Sequence, residues 1–267
     1  MMKPVLRCLL ACLVFCASPL AAKESSEIRQ IVAGEPIQLA PARAYVLVRL
    51  DTDFSKFSAH ILRIPSDEEM QAYETAKRAA FDKAGKKKGP YESFVFDYEG
   101  RPNFLSLIPK KVVAMAGKLA VVLAEIPPGD YVLYGEGFNN YLYQCFCFGT
   151  VGFSARAGAV TDLGTMFFAK AWAPSPIPEL AGEVDLGRTA VMDYGLFAVA
   201  LRPKRADDAM PAGLDPASVS PATFHAVGPF VDTNTLLMNR LAAIPGVLAY
   251  DGGRVINVAD GKEALPN

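Results

Sequence analysis

Two cysteines, Cys145 and Cys147, flank a single glutamine in a chain of 267 residues. On an extended strand, residues i and i+2 point to the same face with Cα atoms roughly 6.5–7 Å apart. A relaxed disulfide prefers about 5.5–6 Å, so a bond between them needs a bent or bulged backbone. Their thiolates would alternatively form half of a soft-metal site for copper(I) or zinc. His60, His225, Met115 or Met166 would have to complete it, and none stands at a suggestive spacing. A redox pair is a third chemistry. The plainest reading is two small buried hydrophobes in a core strand.

Other reactive constellations are sparse. The chain has two histidines, His60 and His225. Each reads as a structural or surface histidine unless a hydroxyl and a carboxylate converge on it, as nucleophilic catalysis requires. Gly152-Phe153-Ser154-Ala155-Arg156 lacks the closing glycine of a nucleophile elbow. Neither an HExxH nor a P-loop pattern occurs in the sequence. Asp51 with Asp53, and Asp207 with Asp208, are neighbours on loops, not a carboxyl pair held across a cleft. Lys83, Lys86, Lys87, Lys88, Lys110, Lys111 and Lys118 make the middle of the chain basic, and read as a solvated face unless they converge on an anionic surface. Tyr91, Tyr98, Tyr141 and Tyr143 offer rings for a sugar or peptide, or for the core. No cofactor is called for, and whether the protein is an enzyme stays open, with the balance toward a non-enzymatic role.

The first 22 residues show where the chain goes. Lys3 and Arg7 precede an apolar run over residues 8–15, and Ser18, Ala21 and Ala22 supply small residues before KESSE. That is the layout of a secretory signal peptide. The run is too short for a membrane span, which needs about 20 residues. Cys8, Cys12 and Cys16 lie in this segment, leaving Cys145 and Cys147 to the mature chain. Cleavage after residue 22 would take Lys3 and Arg7 away from 27 basic residues, against 28 acidic ones. The near-balance argues against a dedicated nucleic-acid binder. The expected location is periplasmic or secreted, with no membrane span after the signal is removed.

The remaining sequence must build the elements that position any site. Residues 23–43 read as an extended segment broken by Gly34, Pro36 and Pro41. AYVLVRLD (44–51) and FSAHILRI (57–64) read as strands. Ser66 and Glu69 form a capping-box pattern that opens a helix over about 67–84, stopped by Gly85. SFVFDY (93–98), KLAVVLAEI (118–126) and YVLYGEG (131–137) read as further strands, the last two joined by Pro127-Pro128-Gly129-Asp130 as a hairpin. Residues 141–153 are apolar on both alternating faces, as in a strand buried on two sides. Residues 153–168 read as two short strands, and 194–203 as the last interior strand. After it the chain is loop-rich, with one or two helical turns over 236–241 and a Gly252-Gly253 turn before a final strand. The expected fold is mainly β: an antiparallel β-sandwich, immunoglobulin-like or transthyretin-like, over residues 44–203, with one inserted helix and a C-terminal extension (204–267) packed on it.

The run from Ile126 to Met166, with its PPGDYVL turn-strand and later GAVTDLG, is similar to a pattern in exported bacterial proteins of unknown function. AYVLVRLD resembles their first strand. The resemblance implies a small β-sandwich in a bacterial cell envelope and lends no catalytic residue. The function expected is that of a binding or accessory module for an envelope protein, glycan or lipid. The alternative is a thiol-redox or soft-metal protein using Cys145 and Cys147.

Overall fold

The computed structural model describes residues 28–51, 57–85, 89–96, 98, 103–138, 144–145, 147–169, 175–181, 198–230 and 239–265. The leader, Lys86–Lys88, Tyr141, Tyr143 and residues 236–238 of the helical turns expected over 236–241 lie outside them, while Asn239, Arg240 and Leu241 are not helical. Among the described residues the chain is mainly β, with one α-helix. Among the described residues no helix is long and apolar enough to cross a membrane.

Among the described residues fifteen strands form two larger sheets and a terminal hairpin. The first sheet runs β1 (Arg29–Ile31), β6 (Leu119–Ile126), β2 (Ala44–Asp51), β10 (Val160–Ala169) and β11 (Ala198–Arg202). β5 (Ala114–Ala116) pairs with β6, and β12 (Val219–Pro221) with β10. The second sheet runs β13 (His225–Ala226), β9 (Val151–Ala155), β7 (Gly129–Phe138), β3 (Phe57–Arg63) and β4 (Phe104–Leu107), with β8 (Gln144–Cys145) beside β7. Pairing is antiparallel except where β10 lies parallel to β2 and to β12.

Residues 44–48 are apolar without a break because both faces of β2 are covered. Val46, Val48 and Leu50 enter the main core with Ala59, Ile61, Leu133 and Phe153 from the second sheet. Tyr45 and Leu47 point the other way, into a smaller cluster with Leu123, Val160 and Leu214. Two-sided burial is what turns an alternating strand pattern into a continuous one.

Pro127–Asp130 is not a hairpin. It carries the chain from β6 in the first sheet to β7 in the second. The prolines have no N–H for a ladder, and the corner is held from outside it. Tyr131 Oη donates to the Pro127 carbonyl at 2.5 Å, and the Ile64 N–H to the Asp130 carbonyl at 2.8 Å. Residues 156–159 make a second such crossing, from β9 to β10, with Gly158 at φ +72°.

β3 and β4 are neighbours in the second sheet, yet 40 residues separate Arg63 from Phe104. Helix α1 (Asp67–Lys83) lies in this insertion. Ser66 Oγ accepts the Glu69 N–H, and the Glu69 carboxylate accepts the Ser66 N–H, completing the capping box. No residue of α1 is buried. Its apolar stripe meets the segment that reads in sequence as the strand SFVFDY. A 3₁₀ turn at Tyr91–Ser93 opens that segment, and its described residues beyond the turn, 94–96 and 98, form a strap that belongs to no strand. Phe94, Phe96 and Tyr98 turn toward Tyr73 and Phe81, with ring centroids 5.3–5.5 Å apart across the interface, while Val95 is 90 % exposed. The period-two alternation is real, but a helix takes the place of a partner strand.

Candidate functional site

The insertion is clasped at its root by Arg63. This residue ends β3 and is buried. Its two terminal nitrogens donate to the Glu69 carboxylate at 2.7 and 2.8 Å, the planar two-point geometry that suits arginine. One of them also donates to Asn103 Oδ1 at 3.1 Å, and the Arg63 N–H to the Asn103 carbonyl at 2.7 Å. Glu69 belongs to the outgoing limb and Asn103 to the returning one, so one guanidinium holds both ends of the arm.

Above this clasp lies a cleft of about 670 Å³. Glu68, Met70, Tyr73, Tyr98 and Pro128 are among its walls. A cavity of this size falls in the ordinary range for ligand sites, roughly 300–1,000 Å³. Tyr73 and Tyr98 meet edge to face, with centroids 5.3 Å apart and planes at 90°. A shallower groove of about 520 Å³ follows the outer side of α1, between Glu74, Arg78 and Tyr91. A third, of about 330 Å³, lies between His225, Asn257 and Asp260. None of these three clefts is lined by a histidine beside a serine.

The residues singled out in the sequence are dispersed. Cys147 is disulfide-bonded and buried in the main core; the side chain of Cys145 lies outside the described residues. The Cys147 carbonyl accepts the Arg240 N–H at 2.7 Å, and the Arg240 carbonyl accepts the Val199 N–H at 2.8 Å. The cysteine segment thereby reaches β11 of the opposite sheet. Met166 is buried in β10, Met115 is 55 % exposed on β5, and His225 is exposed on β13. Among the described residues no group of three or more His, Cys, Asp or Glu side chains is placed to hold a metal. Tyr91 and Tyr98 both lie in the arm, while Lys83 is exposed at the end of α1, Lys110 in the turn after β4 and Lys118 in the turn between β5 and β6.

His60 has a hydroxyl beside it but no site around it. It pairs across the β3–β4 ladder with Ser106, whose Oγ is 2.9 Å from His60 Nδ1. The ring stacks obliquely on Phe104 at 4.7 Å. Its Nε2 is buried without a hydrogen-bond partner among the described residues. Burial therefore disfavours the imidazolium and pushes the pKa down to about 4. The unfolded chain binds this proton near its ordinary value of about 6.5, so stability is intact above that pH and falls as pH drops toward 4. The loss attributable to His60 is on the order of 3 kcal/mol. Urea midpoints at neutral pH and at about pH 4.5 should show a smaller acid loss in His60→Leu than in wild type. Equal losses in the two proteins would contradict the assignment.

Comparison with protein families, curated proteins and solved structures finds no match to this chain. Sequence reasoning missed the clasp and the cleft. Arg63 reads as one more residue of FSAHILRI, and only the fold brings Glu69 and Asn103 to it.

Proposed function

We propose that this is an exported protein of the cell envelope, periplasmic or secreted, acting as a non-enzymatic binding or accessory module. The helical arm between β3 and β4 is its recognition element. One observation carries the reading. Of the six large hydrophobic side chains exposed among the described residues, three belong to the arm: Met70, Val95 and Tyr98. Two of these, Met70 and Tyr98, line the 670 Å³ cleft. Exposed apolar groups gathered at a cleft, on an element that buries none of its own helix, are the mark of a contact surface. The partner class is an envelope protein, a glycan or a lipid. The body that carries the arm is, on this reading, a sandwich of the immunoglobulin-like or transthyretin-like kind, supported by the shared core of the two sheets. The disulfide at Cys147 suits an oxidising compartment.

The alternative, a thiol-redox or soft-metal protein using Cys145 and Cys147, requires that disulfide to open. Cys147 is only 1 % exposed, and an exchange catalyst needs an accessible sulfur. The two readings separate by affinity capture from envelope extract on the immobilised mature chain. Wild type should retain a component that the Met70→Ser/Tyr98→Ser variant loses, with thermal stability unchanged. Equal retention by both, or none by either, would overturn the binding role of the arm.

A further inference from the structure

The charge around the cleft selects its ligand. Among the described residues one guanidinium lines it, and that one is engaged: both terminal nitrogens of Arg63 donate to Glu69, and its Nε is sealed from solvent. The opening of α1, which would otherwise favour an anion, is closed by the capping box, with the Glu69 N–H donating to Ser66 Oγ at 3.3 Å. Among the described lining residues the charge that remains is negative. Glu68 lines the cleft, is exposed, and has no ion-pair partner among the described residues; Asp67 stands beside it in the first turn.

Carboxylate and aromatic walls together suit a cation, since the face of a tyrosine ring carries negative potential. The arm already uses its rings in this way. Lys77 Nζ lies 4.9 Å and Arg78 Cζ 3.8 Å from the centroid of Tyr91. Those cations come from α1 itself, and Lys77 Nζ also lies 5.9 Å from the centroid of Tyr73; Tyr73 and Tyr98 share the cleft wall with Glu68.

We propose that the cleft receives a lysine or arginine side chain of a partner polypeptide. The methylene stem lies along Met70, Pro128 and the tyrosine rings, as long basic side chains do on apolar surface, and the charged head meets Glu68. A zwitterionic lipid headgroup fits less well, because its phosphate would be brought to the same carboxylate. This deepens the binding-module reading and rests on it.

The test is a titration of the full mature protein, followed by amide NMR shifts in α1 and around Tyr98. The probes are a short lysine peptide, the same peptide with norleucine for lysine, and vesicles containing phosphatidylethanolamine. The lysine peptide alone should move the cleft amides. Glu68→Gln should weaken it by about fivefold, and Glu68→Lys should abolish it while the protein stays folded, as the unshifted amides outside α1 show. Raising salt from about 50 to about 500 mM should weaken it further. An equal response to norleucine, a response to vesicles alone, no response, or indifference to Glu68→Gln would each overturn the cationic ligand. The envelope component of the capture experiment distinguishes the two levels. If Glu68→Lys retains it while Met70→Ser/Tyr98→Ser does not, the arm binds but not through a cation; if nothing is retained by wild type, the binding-module reading itself fails.

Discussion

Arg49→Met should lower stability by about 3–5 kcal/mol, the usual cost of leaving one partner of a buried ion pair alone. Arg49 lies on the outward face of β2, and its side chain and that of Asp162 are fully buried. Its guanidinium donates to both oxygens of Asp162, at 2.7 and 3.0 Å. Nε donates to the Ala209 carbonyl at 2.9 Å, and one terminal nitrogen to the Gly164 carbonyl at 3.3 Å. The pair therefore ties β2 to β10 and pins the 205–214 loop over the sheet. In Arg49→Met the Asp162 carboxylate is stranded. Asp162→Asn removes that charge yet keeps an oxygen for the Gly164 N–H, which donates to Asp162 Oδ1 at 2.9 Å. The double variant should therefore be more stable than Arg49→Met alone. Urea unfolding of the four proteins in the cycle gives the coupling. Purely additive losses would show that the two charges act independently.

Gly164→Ala should be nearly as damaging, with a loss of roughly 3 kcal/mol or more and poor soluble yield. Gly164 has φ +82°, and a Cβ there would lie 2.0 Å from the Arg202 carbonyl oxygen. It marks the irregularity at which β10 shifts register against β2, between Asp162 and Thr165. Here too β10 exchanges its other neighbour, from β12 at Val160–Asp162 to β11 at Thr165–Ala169. Gly213→Ala is the matched control. It has φ +83° but nothing within 4 Å of a built Cβ, so it isolates the backbone strain of about 1–2 kcal/mol. Thermal unfolding should place Gly164→Ala well below Gly213→Ala. Equal midpoints would mean that the contact with Arg202 is not tight.

What was legible in the sequence was local. β2 shows as a Val- and Leu-rich run ended by Asp51, and α1 as a capping box followed by helical spacing, because each signal is complete within a dozen residues. The Gly252-Gly253 turn between β14 (Leu248–Asp251) and β15 (Arg254–Asn257) was legible for the same reason. The Pro127–Asp130 corner was misread because proline and glycine fix the bend and not the sheet on which the next strand lands. SFVFDY was misread because a strap under a helix alternates just as a strand does. The parallel β2–β10 contact joins residues more than a hundred positions apart, and no short-range pattern encodes it. At the candidate site, Tyr91 and Tyr98 stood out as aromatic. The clasp that makes a cleft beside Tyr98 needs Arg63, Glu69 and Asn103 together, and their sequence separation hides it.

Site-specific photo-crosslinking in intact cells tests the role of the arm most directly. A photoreactive phenylalanine placed at Tyr98 or Met70 should yield a discrete adduct. The same residue at Val258, which is 43 % exposed just beyond the terminal hairpin, should yield none. Adducts from Val258 and not from the arm, or none from any position, would contradict the account.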